Sequence, residues 1–296
     1  METTDPSLRD RAVQLYDAFT HDHRDRRTLL RQMTVLAGSV AAAEALIGGI
    51  SASPAAAALT EADDPRLVIR KGSYAIGKDD SITGYFAAPR TPKGKVGAVI
   101  VIHENRGLQP HIEDVTRRVA LSGFFAVAPD FLSPQGGTPV DENAARDLIA
   151  KADYDTVVAN AAATVGRLSR LANGTGKIGI IGFCWGGALV NRVALTAAPG
   201  LAAAVSYYGP APAPAEAERV GVPLMLHYAG KDTRVAESGE PWVAALKAAG
   251  KPVQAFTYPG VDHAFNNDTS AERYDEAAAA LAWTRSMAFL HQHLDA

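Results

Sequence analysis

The sequence predicts an α/β protein with a mostly parallel sheet and helices on both faces. Continuous apolar runs, such as residues 98–102 and 177–182, are typical of strands buried on both faces. Segments with helical spacing follow these runs repeatedly, and repeated strand–helix units form a parallel sheet. No repeat or linker interrupts the pattern after residue 65, so residues 65–296 are predicted to form one domain.

The elements of this domain can be assigned in chain order. Two alternating apolar segments separated by a turn predict an antiparallel pair at its start, at residues 67–74 and 82–88. Further strands are predicted at residues 98–102, 124–128, 177–182, 203–208, 224–229 and 253–258. Helices are predicted at residues 112–122, 141–171, 187–195, 240–249 and 271–294.

The composition limits the classes of function. The chain has 296 residues, 47% hydrophobic and 21% charged, and can bury a large core without metals or disulfides. Its formal net charge is -3 and it has no basic stripe, so we expect no nucleic-acid partner. Cys184 is the single cysteine, so it is a small buried apolar residue, a thiol outside any disulfide, or a nucleophile.

Residues 1–60 differ from the rest of the chain. Residues 25–31 read Asp-Arg-Arg-Thr-Leu-Leu-Arg, an alanine-rich run follows from residue 33 to residue 59, and small residues end it at 51–58. This pattern resembles a twin-arginine export signal, which predicts a periplasmic or extracellular protein. The run is long enough to cross a bilayer, but its many Ala, Gly and Ser residues make stable membrane insertion unexpected.

The alternative for this N-terminal extension is a helical arm that packs on the domain or on a partner, in a cytoplasmic protein. Two features favour the arm. The segment before the paired arginines is long and mixed in charge, and Glu44 lies inside the apolar run. Both interpretations stay open at the level of sequence.

The motif that carries chemistry is Gly182-Phe183-Cys184-Trp185-Gly186, between a predicted strand and a predicted helix. It is the G-x-S-x-G nucleophile elbow with Cys in the place of Ser. The turn is so tight that side chains two positions before and after the nucleophile would collide, and the nucleophile is held at positive φ. The helix N-terminus below the sulfur favours a thiolate. Cys184 is therefore predicted to be a nucleophile.

A nucleophile needs a base, and the base needs an orienting acid. In chain order the acid and then the base should follow. Asp232 lies just past the predicted strand 224–229, and His263 lies on the loop after the last predicted strand. Asp262, the neighbour of His263, and Asp130, which follows an earlier strand, are rival acids.

The developing oxyanion needs backbone donors. One is the amide of Trp185, directly after the nucleophile. The second should come from the loop after strand 98–102, which reads His-Glu-Asn-Arg-Gly at 103–107, and Asn105 is the predicted donor. Glu104 is either a carboxylate close to the sulfur or a solvated acid of the loop.

These motifs together resemble the dienelactone hydrolase family of the α/β-hydrolase superfamily, over roughly residues 65–295. The resemblance implies an α/β-hydrolase fold with a sheet of about eight strands, no metal and no cofactor. It implies a triad of Cys184, Asp232 and His263, with Glu104 accepting a contact from the resting thiol until substrate displaces it. The matching motifs are Gly182-Phe-Cys-Trp-Gly-Gly, Ala229-Gly-Lys-Asp232, Asp262-His263-Ala-Phe and the loop at 103–107.

The sequence departs from the founding members of this family in the substrate pocket. Those enzymes hold a substrate carboxylate with two arginines, where this chain has Leu-Ser-Pro-Gln at 132–135 and Asn-Asn at 266–267. A buried carboxylate without a cation is costly, so we expect a neutral ester, lactone or thioester rather than dienelactone itself. Arg106 or Arg273 could supply a cation from elsewhere.

The predicted substrate-binding residues are Arg106, Phe265 and Asn266, and the predicted partner is a small ester or lactone. Alternatives are a thioesterase of the same fold, a non-catalytic scaffold, a thiol redox enzyme that would have no second cysteine, and a metal hydrolase. Short histidine motifs for such a metal are His21-x-His23, His103-Glu104 and His291-x-His293. The sequence leaves the oligomeric state open.

Overall fold

A computed structural model describes residues 7–21, 25–51 and 59–296, and an eight-stranded sheet lies at its centre. The strand order is β1-β2-β4-β3-β5-β6-β7-β8. The strands are β1 (Leu67–Ala75), β2 (Ser81–Pro89), β3 (Val96–Ile102), β4 (Phe125–Pro129), β5 (Gly174–Phe183), β6 (Leu201–Tyr207), β7 (Leu224–Ala229) and β8 (Val253–Tyr258). The predicted α/β-hydrolase fold with about eight strands is confirmed.

Strand direction explains where a site can form. β2 is antiparallel to both of its neighbours, β1 and β4, which confirms the predicted antiparallel pair. From β4 to β8 every neighbouring pair is parallel. The carboxyl ends of β3, β5, β7 and β8 therefore meet at one edge of the sheet, where open α/β sheets place their ligands.

Nine α-helices lie within the described ranges. They are α1 (Leu8–His21), α2 (Arg26–Ala37), α3 (Val40–Ile50), α4 (Pro110–Leu121), α5 (Glu142–Lys151), α6 (Tyr154–Leu168), α7 (Trp185–Val193), α8 (Thr233–Ala248) and α9 (Glu276–Leu294).

Three predicted helices were wrong in their extent; the one predicted at 271–294 begins at Glu276. The single helix predicted at 141–171 is two helices, because Asp153 caps a new one and its side chain accepts a hydrogen bond from the Asp155 amide. The helix predicted at 240–249 begins at Thr233, two turns earlier, because Asp232 caps it. Pro241, which favours a helix start, lies inside it instead.

The sheet separates two apolar layers. Successive residues of β3 point to opposite faces, so Val99 and Val101 belong to one layer and Ile100 and Ile102 to the other. Helices α4 and α9 cover the first layer, and α6, α7 and α8 cover the second. This burial on both faces is the reason that the strands read as continuous apolar runs.

Helices α1, α2 and α3, residues 7–21 and 25–51, are called the arm below. The arm has a small apolar cluster of its own, which includes Tyr16, Leu29, Met33 and Ile50 and is separate from the two layers of the sheet. Asp25 caps α2 through the Thr28 amide, so the paired arginines of the sequence form the first turn of a helix.

The apolar run of the arm is bent. In the described part of the chain no single helix is long and apolar enough to cross a membrane; α2 and α3 meet those criteria only as a pair, bent by 111° at the break between them. The small residues at 52–58 and His23 of the first histidine pair lie outside the described residues.

Candidate active site

The nucleophile elbow has the geometry that its sequence predicts. Cys184 follows β5 and precedes α7, and its backbone has φ 57° and ψ -113°. A Cβ on Gly182 would lie 2.3 Å from the Gly186 carbonyl oxygen, and a Cβ on Gly186 would lie 2.5 Å from the His103 carbonyl oxygen. Both positions therefore require glycine, since no side chain fits between the elbow and the end of β3.

The structure brings Cys184, His263 and Asp232 together from the ends of three strands. Cys184 and His263 line the same narrow cleft, and the Nδ1 of His263 donates to Oδ2 of Asp232 over 2.5 Å. The other oxygen of Asp232 accepts a hydrogen bond from the Val235 amide at 3.1 Å. Asp232 is thus fixed as the N-cap of α8, and this cap orients the carboxylate toward the imidazole.

The electrostatics of the pair are those of an imidazolium beside a carboxylate. Burial alone would lower the pKa of His263, but Asp232 and Cys184 together raise that pKa to about 10. Burial would raise the pKa of Asp232, but His263 and then Arg234 hold it below its ordinary value. His263 therefore holds its proton strongly, and Asp232 stabilises the charged form of the imidazole.

The two rival acids have other partners. Asp262 accepts a hydrogen bond from Arg9 of the arm at 2.9 Å. Asp130 accepts hydrogen bonds from the Leu132 amide at 3.0 Å and from the Thr138 amide at 2.7 Å. Asp130 therefore stabilises the loop after β4, and Asp232 is the carboxylate that meets the imidazole.

Backbone strain is concentrated around these residues. In the described ranges, the non-glycine residues with positive φ are Cys184, Tyr208 at 38° and Ala264 at 65°. Tyr208 packs against the His263 ring with centroids 4.9 Å apart, and Ala264 directly follows His263. Such conformations cost free energy and cluster at functional sites.

The loop after β3 lies against the elbow. Its Glu104 Oε2 accepts a hydrogen bond from the Asn267 side chain at 2.8 Å, and Glu104 lines a cleft that also contains Cys184. His103 stacks on Trp185 with ring centroids 5.3 Å apart and planes 6° apart. Asn105 and Trp185, the predicted oxyanion donors, both line the larger cavity beside Cys184. This stacking fixes the loop after β3 against the first residue of α7.

Two adjoining spaces contain Cys184. One is a narrow cleft of about 20 Å³ on the side of His263 and Glu104. The other is a cavity of about 430 Å³ that extends over α7, large enough for a small-molecule substrate. Thr20 of the arm lines both spaces.

The larger cavity carries a marked positive charge. Arg146 of α5, Arg192 of α7 and Arg234 of α8 line it, and no carboxylate is among the described residues that do so. The Nε and Nη2 atoms of Arg234 and Nη1 of Arg146 are buried and have no hydrogen-bond partner within the described ranges. Buried guanidinium donors in this state favour an anionic group from outside the chain.

The predicted substrate-binding residues are placed differently. Arg106 lines the cleft, but Glu142 pairs with its Nη1 at 2.7 Å and the Tyr16 hydroxyl pairs with its Nη2. Phe265 is fully buried in the apolar layer beside Tyr208. Phe265 and Asn266 line neither space that contains Cys184, so the structure corrects that expectation. The loop turns at Ala264, and the following side chains therefore point into the protein.

The histidine motifs do not converge on a metal site. Within the described ranges no group of three or more metal-ligating side chains is present. The Nδ1 of His103 donates to the Glu104 carbonyl at 2.7 Å, and its Nε2 accepts from the Phe131 amide at 3.3 Å. Burial lowers the pKa of His103, which keeps it neutral and structural. His291 pairs instead with Asp295 at 3.0 Å.

Sequence reasoning missed Thr20 and the three arginines of the cavity. Arg234 follows the predicted acid by two residues, and Arg192 lies eight residues after Cys184 on the elbow helix, so their spacing held a signal. Arg146 and Thr20 come from helices with no motif, and only the folded chain brings them to the site.

Comparisons with known proteins identify relatives of this fold and site. A family model described as the dienelactone hydrolase family matches residues 82–294. A candidate carboxymethylenebutenolidase of Salmonella typhi is 32% identical over 232 residues, covering 72% of this chain and 84% of that protein. One of Methylorubrum extorquens is 30% identical over 297 residues, covering 93% of this chain and 98% of its own length.

A solved structure supports the same relationship. The crystal structure of a candidate dienelactone hydrolase from Klebsiella pneumoniae matches with a TM-score of 0.68 and 29% identity. The match covers 76% of this chain and 100% of that one.

Proposed function

The chain belongs to the dienelactone hydrolase family, and from this premise we propose that it hydrolyses a carboxylic ester or lactone with Cys184 as the nucleophile. The observation that carries the proposal is that Cys184 shares a cleft with His263, which is hydrogen-bonded to Asp232, beside a cavity of about 430 Å³. Acyl transfer needs a nucleophile, a base and an orienting carboxylate in that order.

In the first half-reaction His263 holds the proton that Cys184 has given up, and the sulfur attacks the acyl carbon as a thiolate. A carbon–sulfur bond forms, and the carbonyl oxygen takes up negative charge, which we assign to the backbone amides of Trp185 and Asn105. The adduct collapses when its carbon–oxygen bond to the alcohol breaks, and His263 gives the proton to the leaving alkoxide. The product of this step is a thioester on Cys184.

In the second half-reaction His263 takes a proton from water, and the resulting hydroxide attacks the thioester carbon. The carbon–sulfur bond then breaks, the acid is released and the sulfur regains its proton. Asp232 stays ionised throughout and stabilises the imidazolium at each transfer. Every proton thus passes through one imidazole.

We assign Glu104 to the resting enzyme. Asn267 holds its Oε2 at 2.8 Å, while its Oε1 is buried and has no hydrogen-bond partner within the described ranges. That oxygen can accept a hydrogen bond from the thiol when no substrate occupies the cleft. Glu104→Gln should therefore change the rate of the first turnover more than the rate of thioester hydrolysis, as measured by stopped-flow release of p-nitrophenol.

The central test follows p-nitrophenyl acetate while iodoacetamide alkylates the protein. The chain has one cysteine, so loss of activity should track the incorporation of one carboxamidomethyl group per chain. Cys184→Ala should abolish the activity, and a thioester adduct should be trapped by rapid acid quench and mass spectrometry. Undiminished activity in Cys184→Ala would reject the nucleophile, and absence of any esterase activity in the wild type would favour the non-catalytic scaffold.

We further propose that the substrate carries an anionic group, which revises the neutral substrate that the sequence favoured. Arg234, Arg146 and Arg192 line the cavity, and the unsatisfied buried donors of Arg234 support a bidentate contact with a carboxylate or a phosphate. The two arginine positions of the founding members are empty of cations here, so the charge is supplied from different helices.

Two esters of matched length test this assignment, p-nitrophenyl butyrate and the monoanionic p-nitrophenyl hemisuccinate. Arg234→Met should raise KM for the hemisuccinate about tenfold or more, because the charge-assisted contact is lost, and should change KM for the butyrate little. Arg167→Met on the exposed face of α6 is the matched control. Equal effects on both esters would contradict an anion site at Arg234.

The export proposal rests on the paired arginines and on the small residues that follow the apolar run. Arg26 and Arg27 are exposed at the start of α2. N-terminal sequencing of the native protein tests it. A chain that starts near residue 59 would support export with removal of the signal, and an intact Met1 would count against it.

A further inference from the structure

Helix α1 of the arm lies over the candidate active site. Thr20, near its C-terminal end, is 7% exposed and lines both the cleft and the larger cavity that contain Cys184. All other described residues that line these two spaces come from the sheet domain. Part of the wall of each space is therefore supplied by a residue that precedes the family match.

Two ion pairs fasten α1 to the residues that directly precede the acid and the base of the proposed triad. Arg9 Nη1 donates to Asp262 at 2.9 Å, and Lys231 Nζ donates to Asp10 at 2.7 Å. We call these two ion pairs the clasp. They join one turn of α1 to the loop after β7 and to the loop after β8.

The other end of α1 contacts the loop that is assigned to the oxyanion. The side-chain amide of Asn105 donates to the Thr20 carbonyl at 3.2 Å, and the Arg106 guanidinium donates to the Tyr16 hydroxyl. Both contacts come from consecutive residues of the loop after β3. Helix α1 therefore reaches each of the three loops that surround Cys184.

A third ion pair lies beside the cleft. Arg273 Nη1 donates to Asp17 over 3.4 Å, and Arg273 lines the cleft together with Cys184 and His263. A carboxylate of the arm therefore pairs with one of the two arginines that line the cleft, Arg106 and Arg273.

Apolar contacts hold the helices of the arm together, whereas charged and polar contacts attach the arm to the sheet domain. Its apolar side chains form a cluster separate from the two layers of the sheet, and the contacts described above are ion pairs and hydrogen bonds. Ion pairs between partly exposed groups contribute little and are weakened by salt. The side chain of Arg9 is 40% exposed and that of Lys231 is 37% exposed. The attachment is therefore reversible in a way that a shared apolar core would not be.

We propose that, in a chain that retains residues 1–58, helix α1 is a displaceable roof of the active site, and that Thr20, held in place by the clasp, sets the upper limit on the size of the substrate. The proposal rests on the proposed hydrolase function only in calling the limiting molecule a substrate. Access to the sulfur is a geometric property, and the test below measures it without any enzymatic activity.

The test uses the full chain and its single thiol. Cys184 is the one cysteine, so every maleimide that reacts reports on this site. The clasp variant carries Arg9→Ala and Asp10→Ala together. Its reaction with fluorescein-5-maleimide, a bulky probe, should be about tenfold faster than that of the wild type, while its reaction with the small N-ethylmaleimide should change much less.

The matched control is Arg11→Ala. Arg11 lies on the same helix but is exposed and forms no ion pair within the described ranges, so both labelling rates should equal those of the wild type. A second measurement needs no substitution. Raising NaCl from about 0.05 M to about 1 M should accelerate bulky labelling in the wild type and in Arg11→Ala, and should have little effect in the clasp variant.

The same proteins give an activity ratio once esterase activity is present. The clasp variant should raise kcat/KM for p-nitrophenyl decanoate relative to that for p-nitrophenyl acetate by about tenfold, because the roof excludes the longer chain. An unchanged bulky-to-small labelling ratio in the clasp variant, or labelling of the wild type that does not respond to salt, would overturn the roof. Inactivity of all variants on every ester, with the labelling ratio changed, would reject the hydrolase proposal and leave the roof supported.

Discussion

The arm and the sheet domain are held together by different forces. The sheet domain has two apolar layers, in which residues such as Val101 and Ile100 are fully buried. The arm has its own small cluster around Met33 and meets the sheet domain through charged and polar groups. Burial of apolar area stabilises a domain far more than exposed ion pairs do. The arm can therefore move or be lost while the sheet domain stays folded.

This difference divides the site into a chemical half and an access half. Cys184, His263 and Asp232 stand on the ends of β5, β8 and β7, where the sheet fixes their separation. Thr20 and the arm residues of the clasp, Arg9 and Asp10, lie on helix α1, which is outside the sheet. We expect substitutions in the first half to change the rate of chemistry, and substitutions in the second half to change which molecules reach it.

The largest expected effect separates two neighbouring acids. Asp232→Asn should lower kcat by about a thousandfold or more, because the amide favours the wrong tautomer of His263 and cannot stabilise its charge. Asp262→Asn removes only the carboxylate that Arg9 contacts, so its effect on kcat for p-nitrophenyl acetate should be less than tenfold. Steady-state kinetics of the two variants measure this. A similar loss of kcat in both variants would contradict the assignment of catalysis to Asp232 and of access to the residues that contact the arm.

The sheet domain and the arm should also differ in how a core substitution in each changes the unfolding of the sheet domain. Ile100→Ala, in the centre of the sheet, should cost about 2–5 kcal/mol, because a fully buried side chain is lost and a cavity is left. Met33→Ala makes a comparable cavity in the arm, but it should leave the unfolding of the sheet domain nearly unchanged.

Tryptophan fluorescence distinguishes the two, because the three tryptophans, Trp185, Trp242 and Trp283, all lie in the sheet domain. In Met33→Ala the fluorescence midpoint should match that of the wild type, while far-UV circular dichroism should lose helix at a lower temperature. One shared midpoint, lowered equally for both probes, would mean that the arm and the sheet domain unfold together.

The sequence predicted the parts of the fold that local physics controls. Strands such as β3 and β5 are buried on both faces, so they appear as continuous apolar runs. The elbow is recognisable because Gly182 and Gly186 have no space for a side chain. The proposed acid and the proposed base follow from chain order, because each lies just beyond a strand whose carboxyl end is at the same edge of the sheet.

The parts that failed depend on long-range packing. Phe265 follows the base by two residues and was expected in the pocket, but the turn at Ala264 directs it into the core. The charge of the cavity comes from Arg146, Arg192 and Arg234 on three different helices, which no local pattern connects. The sequence favoured a neutral substrate for that reason, and the charge of the substrate stays a prediction.

The smallest expected effect is the sharpest test of the division. The two groups that raise the pKa of His263 to about 10 most strongly, Asp232 and Cys184, belong to the sheet domain. The folded pKa lies above the ordinary 6.5, so the charged imidazole contributes stability that is fully present below about pH 6.5 and is lost as pH rises through about 10. Cys184→Ala should lower the midpoint of this titration, because one of the two charges is gone.

NMR of the imidazole carbon-bound protons measures that midpoint directly. His227 is an internal control, because burial and then Arg285 lower its pKa to about 3 and it should stay neutral across the range. In the clasp variant, Arg9→Ala with Asp10→Ala, the His263 midpoint should stay within about half a unit of the wild type, since neither removed charge is among its causes. A downward shift as large as that of Cys184→Ala would place part of the electrostatics of the triad in the arm.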